Sequence, residues 1–331
     1  FCIFMCYQNT MDEVFFKDYL KLRKNRVTFA TAVVVKHDVP ISGKSGDKAI
    51  IKEDGSLIGW VGGGCTNSIV ISEGLKALNS GKSKLIVIDP ESKIKSSSNE
   101  EHFQMTCHSG GSLSVYVEPI FPRPLIVVLG DSPVAKSLLN ISSELGYENI
   151  WATGSNIDNE SITADKILKN FDIKGINLSS PSFIIVCTQG DNDEAALISA
   201  LNTSVEYVAF VGSKRKTDIL KKELYAKGIS QERLNSMINP AGIDIKARTP
   251  SEIALSILAE IIKVLRIQVN LMEENNIDNE ESFVDPVCGM SVKSNKTNFF
   301  EFKSKNFYFC CNGCKSKFKN NPEFYLEKAY L

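Results

Sequence analysis

Four of the nine cysteines crowd into the C-terminal segment, as Cys288, Cys310, Cys311 and Cys314. Cys288 lies in Asp285-Pro286-Val287-Cys288-Gly289-Met290, and Cys310, 22 positions on, opens a C-x3-C pair with Cys314. Thiolates so spaced can meet at one ion, and soft sulfur ligands favour zinc, copper(I) or iron over magnesium or calcium. The aromatic residues around them, Phe299, Phe300, Phe302, Phe307, Tyr308, Phe309, Phe318 and Phe324, are a thin core for a domain of about 50 residues. Metal ligation is expected to supply the missing stability. The competing reading is three buried cysteines in an apolar core.

Two more cysteines stand in glycine-rich loops. Gly59-Trp60-Val61-Gly62-Gly63-Gly64-Cys65 precedes a helix, where backbone N–H groups and the helix N-terminus favour an anion. Met105-Thr106-Cys107-His108-Ser109-Gly110-Gly111 precedes a strand, and the pair of loops reads as a site for a sulfur-linked or anionic ligand. Taken singly, the first loop is equally a tight turn with Cys65 as a small core residue, and Cys107 and His108 are more often structural or exposed. Further on, Leu125 to Leu129 leads into Gly130-Asp131-Ser132-Pro133-Val134-Ala135, a strand, a turn and a helix placed like a dinucleotide fingerprint. Ser132 replaces a glycine of that fingerprint, and Ala152-Thr153-Gly154-Ser155 stands where a ribose-binding acid is expected, so NAD(P) is the weaker ligand assignment. Thr188 to Asp193 and Gly212-Ser213-Lys214-Arg215-Lys216 fall at expected C-terminal strand ends, and Ser213 with the three cations is a candidate phosphate holder or a solvated helix end.

The elements that position these loops divide the chain. Residues 11 to 118 open with a helix, then read as β-branched strands over Thr28 to Lys36, Lys48 to Ile51 and Ser56 to Val61. A helix over Asn67 to Asn79 follows, then strands over Leu85 to Ile88 and Ser112 to Val117, with a serine-rich loop at 91–100 between them. Pro119, Pro122 and Pro124 read as a stiff linker. From 125 to 266 strands alternate with helices, which implies a mostly parallel sheet covered on both faces. Thr249-Pro250-Ser251-Glu252 is a capping box opening a helix over Ile253 to Leu265, and the acidic stretch 272–282 reads as a tether. The fold class is therefore α/β: an N-terminal α/β domain at 11–120, a Rossmann-like domain at 122–270, a linker at 271–282 and a metal module at 283–331.

Lys plus Arg (38) nearly balances Asp plus Glu (39), which argues against nucleic acid or an anionic membrane surface as partner. No apolar run reaches the roughly 18 residues of a membrane span. Phe1 to Tyr7 lacks the flanks of a signal peptide, Met5 or Met11 is a candidate start, and the odd, scattered cysteines suit a reducing, cytoplasmic setting.

The C-terminal segment resembles the YHS/TRASH metal-binding modules at DPVCGM, YFC-x3-C, Phe318 and Pro322 to Tyr325. That resemblance implies Cys288, Cys310 and Cys314 as ligands, with Cys311 a spare thiol or a fourth ligand. Residues 25–266 resemble the xanthine dehydrogenase accessory family (XdhC/CoxI) at GWVGGGC, CHSGG with YVEP, FVGSKRK, and above all NPAGIDIKARTPSEIALSILAEI at 239–261. The resemblance implies a maturation factor that carries the molybdenum cofactor (molybdopterin), aids its sulfuration and inserts it into a molybdenum hydroxylase apoenzyme. It also implies a homodimer and a cysteine desulfurase as a further partner.

By position, Gly62, Gly63, Gly64, Cys65, Cys107, Gly110 and Gly111 would form the cofactor site on the N-terminal side. Gly130, Ser132, Gly212, Ser213, Gly242, Asp244 and Arg248 would line the Rossmann side. The chain departs from the family at Asn67, where a Glu is frequent, and at Thr153 to Ser155 and Gln189, where an acid and a His are common. Binding and delivery survive those changes better than catalysis, so no catalytic residue is assigned. A nicotinamide-dependent oxidoreductase and a metal sensor or metallochaperone are the competing functions.

Overall fold

The computed structural model describes residues 2–90, 100–104, 110–154, 163–179, 181–190, 192–274, 282–287, 291–293, 299–303, 305–309 and 312–329. The chain forms two compact units, one from residues up to Leu22, Thr28–Ile120 and Leu271 onward, the other from Arg23–Val27 and Phe121–Asn270.

The first unit begins with α1 (Cys2–Lys24), then β1 (Phe29–Asp38), β2 (Lys48–Lys52), β3 (Leu57–Gly59), α2 (Gly64–Ser80), β4 (Lys84–Asp89), β5 (Glu100–Gln104) and β6 (Ser112–Ile120). Its strands form one sheet in the order β3-β2-β1-β6-β4-β5, antiparallel except for the β4–β5 pair. α2 lays Ile69, Val70, Ala77 and Leu78 against Ala30, Ile51, Ile86 and Val115 of the sheet. It stops at Gly81, whose left-handed backbone (φ 69°) lets its N–H reach the Ala77 carbonyl.

Two sequence expectations change here. Pro119 lies within β6, paired with Ala30, rather than in a linker. The ladder between β4 and β6 reaches only Val117, so no third strand needs the N–H that proline lacks. β5, a polar segment read as loop at its start, adds a parallel edge strand to β4. The serine-rich stretch at 91–99 lies outside the described residues.

The second unit contains β7 (Leu125–Leu129), α3 (Pro133–Glu144), β8 (Glu148–Ala152), β9 (Lys166–Leu168), β10 (Ser182–Val186), α4 (Asp193–Leu201), β11 (Tyr207–Phe210), α5 (Lys214–Ala226), α6 (Gln231–Ser236) and α7 (Pro250–Glu274). All strand pairs are parallel, in the order β11-β10-β7-β8-β9, as continuous apolar strands require. Leu125, Val127 and Leu129 face α4, α5 and α6, while Ile126 and Val128 face α3 and α7. α7 runs on to Glu274, into the segment read as a tether. Its capping box forms: Glu252 Oε2 accepts from the Thr249 and Arg248 N–H groups (3.0 and 2.6 Å), and Thr249 Oγ1 accepts from the Glu252 N–H (3.3 Å).

The C-terminal module has two hairpins, β12 (Ser282–Val284) with β13 (Ser291–Lys293) and β14 (Phe299–Phe302) with β15 (Lys305–Tyr308), then α8 (Asn312–Asn320) and α9 (Pro322–Ala329). Phe318 is fully buried, with the rings of Phe300, Phe302, Phe307, Phe309 and Tyr325 around it at 5.0–6.4 Å. Among the described residues no helix is long and apolar enough to cross a membrane.

Candidate functional site

β3 passes to α2 through a turn that only glycine can build at two places. A Cβ at Gly59 (φ 99°) would lie 2.4 Å from the Lys48 carbonyl oxygen, and one at Gly62 (φ 143°) would lie 3.1 Å from the Thr66 side chain. Between them the Trp60 N–H donates to the Lys48 carbonyl (2.9 Å), and Val61 is fully buried. Gly63 is the N-cap of α2 and, having no side chain, makes no capping hydrogen bond of its own. The helix dipole favours an anion at this end. Cys65 is half-buried in this turn. In the same helix the Asn67 Oδ1 is buried without a hydrogen-bond partner among the described residues, an acceptor that costs about 1–3 kcal/mol while unmet.

The loop after β1 joins this turn to the second glycine pair. A Cβ at Gly111 would meet the Asp38 and Pro40 carbonyl oxygens at 2.3 and 2.7 Å, and one at Gly43 would meet the Val61 carbonyl at 2.6 Å. A Cβ at Gly63 would lie 3.5 Å from Ser42 Oγ. Gly63 and Gly111 thus border the same loop, residues 39–45, and Gly110, beside Gly111, has a left-handed backbone (φ 69°). Asp38 holds the base of that loop by accepting from Ser112 Oγ (2.7 Å), which with Lys36 keeps its carboxyl below the usual carboxylate range. The sequence reading passed over the loop. Its Pro-x-x-Gly composition was a signal, but its place depends on β1 pairing with the distant β6. Cys107 lies outside the described residues.

In the second unit the strand order reverses between β7 and β10, the place where open parallel sheets form a ligand crevice. Gly130 (φ 119°) sits there, and its Cβ would lie 2.4 Å from the Cys187 carbonyl oxygen at the end of β10. Buried Ser132 caps α3, its Oγ accepting from the Ala135 N–H at 3.1 Å. Where a ribose acid would stand, Thr153 is buried and its N–H goes to Leu168. Ser213 caps α5 in the same manner as Ser132 caps α3. Gly212 packs on the Phe210 ring, its carbonyl accepting from Asn239 Nδ2 (2.7 Å).

Of the two readings of the basic triplet after Ser213, the solvated helix end describes Lys214 and Arg215. Lys214 and Arg215 are exposed, whereas Lys216 turns to Asp193, a buried carboxylate that also accepts from Thr188 Oγ1 and the Gly190 N–H. A cavity of about 290 Å³ lies against this pair. The pair was not read from the sequence, because Asp193 alone looks like an ordinary first-turn acid.

Gly242 (φ 88°) is pressed against α7, where a Cβ would meet Ser256 Oγ at 2.4 Å. Its N–H donates to Glu260, which also accepts from the Tyr207 hydroxyl. Burial and Glu260 together push that hydroxyl's pKa up. Asp244 pairs with Lys246 on the exposed segment that leads through Arg248 to α7.

In the C-terminal module Cys314 is half-buried in α8, while Cys288 and Cys310 lie outside the described residues. Asp285 is fully buried and its Oδ1 accepts from the Val287 N–H (2.9 Å), which shapes the turn leading to Cys288. The donor types fit a soft metal ion.

These features agree with the comparisons to known proteins. Residues 22–89 match the model of the XdhC and CoxI family, residues 126–261 that of the XdhC Rossmann domain, and residues 283–329 that of the YHS domain. The chain belongs to the XdhC/CoxI family and carries a YHS domain after its Rossmann domain. The uncharacterized protein YqeB of Escherichia coli (strain K12) is 26% identical over 261 residues, covering 75% of this chain and 46% of that protein. The chain thus spans about half the length of that relative. The molybdenum cofactor insertion chaperone PaoD of the same organism is 22% identical over 255 residues, covering 66% of this chain and 78% of that protein. A crystal structure of a xanthine dehydrogenase from Bacillus halodurans is 17% identical with a TM-score of 0.38, covering 72% of this chain and 92% of that one.

Proposed function

We propose that the protein binds the molybdenum cofactor, shields it and delivers it to the apo form of a molybdenum hydroxylase of the xanthine or CO dehydrogenase type. The observation that carries this reading is the glycine-built N-terminus of α2 at Gly62 to Gly64, with half-buried Cys65 in its first turn. The cargo bears a phosphate and a sulfur-ligated metal. A helix N-terminus and a thiol are the matching partners. The likeness to a chaperone named for inserting this cofactor supports the same role. Binding and release require no bond-making by the protein.

Four further proposals belong to this reading: a cysteine desulfurase as source of the sulfido ligand, a homodimer, a cytoplasmic location, and zinc, copper or iron held by Cys288, Cys310 and Cys314 of the YHS domain. The nicotinamide alternative finds little support, since Ser132 Oγ is engaged in capping α3 and no carboxylate stands at the described end of β8.

The test is transfer. Protein loaded with molybdenum cofactor is mixed with a cofactor-free hydroxylase, and recovered activity is followed over time. Faster or fuller recovery than with free cofactor is expected, and recovery no better than with free cofactor would overturn the proposal.

A further inference from the structure

We infer that Trp60 is the platform on which the pterin ring of the cargo stacks; this rests on the cofactor-binding reading above. The chain has two tryptophans, and they are used in opposite ways. Trp151 is fully buried and its indole N–H donates to the Gly130 carbonyl (2.7 Å). Trp60 is 40% exposed, and no ring of the described residues stacks on it. Exposure of so large a ring forgoes burial that a purely structural loop would use.

The backbone on both sides of Trp60 is fixed. Gly59 lies against Lys48, the Trp60 N–H bonds the Lys48 carbonyl, and Val61 is buried. The indole is thus displayed on a rigid turn, two residues before Gly62 and on the approach to the N-terminus of α2.

A ligand meeting this turn encounters an aromatic face at Trp60 and the positive end of the α2 dipole. A flat heterocycle that carries a phosphate ester satisfies both.

The experiment titrates full-length protein with 6-hydroxymethylpterin phosphate and, separately, with inorganic phosphate, by calorimetry. Trp60→Leu should weaken pterin phosphate binding about tenfold or more. Trp60→Tyr should restore most of it, and inorganic phosphate should bind all three proteins equally. Tryptophan emission of the wild type should fall on binding through Trp60, with the buried Trp151 as internal reference. Equal pterin affinity in Trp60→Leu and wild type would overturn the inference and leave the cargo reading standing. A parallel loss of inorganic phosphate binding would make Trp60 a support of the loop and overturn it equally. Wild type that binds neither the pterin probe nor the molybdenum cofactor would remove the cargo reading as well.

Discussion

Replacing Gly130 by alanine separates two reasons for a glycine at a turn. Gly146, after the end of α3, has φ 73° with nothing within 4 Å of a built Cβ, so alanine there meets only the left-handed backbone penalty of about 1 kcal/mol. Gly130 has φ 119°, outside the left-handed well that alanine tolerates best, and its Cβ would lie 2.4 Å from the Cys187 carbonyl oxygen. That carbonyl cannot withdraw freely, because the Cys187 N–H is tied to Leu129 at 2.7 Å and the Gly130 N–H to Ala152 at 2.8 Å. Backbone strain and displaced strand ends together should cost about 4 kcal/mol or more, against roughly 1 for Gly146→Ala. Urea unfolding followed by Trp151 emission in a Trp60→Phe background reads this directly, since Trp151 donates to the Gly130 carbonyl. A cost for Gly130→Ala no larger than that for Gly146→Ala would refute the close-approach argument.

Three other outcomes are expected. Thr249→Ala removes the capping hydrogen bond to Glu252 and should cost about 1 kcal/mol by the same urea assay. Burial outweighs Lys76 and Lys84 to raise the Glu73 carboxyl above its ordinary 4.5, so the folded chain binds that proton more tightly than the unfolded one. The contribution of Glu73 to stability therefore falls as pH rises above 4.5, and Glu73→Gln should show a smaller decline than wild type over that rise; identical slopes would argue against it. A strong chelator should unfold the YHS module, abolishing the near-ultraviolet circular dichroism of the rings around Phe318 while Trp151 emission stays unchanged. An unaltered aromatic signal would mean that the ring core holds without metal.

The parallel sheet was legible because β7 and β10 are buried on both faces and read as unbroken apolar runs. β9 was not: Lys166–Leu168 is three residues long with only Leu168 packed on the core, too short to show a pattern. β5 is a polar edge strand. Local rules found the α7 capping box and the glycine turn before α2, whose chemistry lies within a few residues. The loop at 39–45 and the Asp193–Lys216 pair were hidden because each becomes meaningful only when segments distant in sequence meet. The exposure of Trp60 was equally invisible, since a tryptophan beside a buried valine carries no sign of which way its surface is used.

The central claim is tested most directly by measuring how much molybdenum cofactor the purified protein holds, in wild type and in Gly63→Asp. Aspartate suits an N-cap, and the Gly63 Cβ position has only Ser42 Oγ nearby at 3.5 Å, so the variant should fold at least as stably as wild type. Its carboxylate occupies the place offered to the cargo's anion. Wild type should retain cofactor and Gly63→Asp should bind it about tenfold more weakly, the effect of one misplaced charge, and so hold clearly less; a wild type that holds none, or a variant that holds as much, would contradict the account.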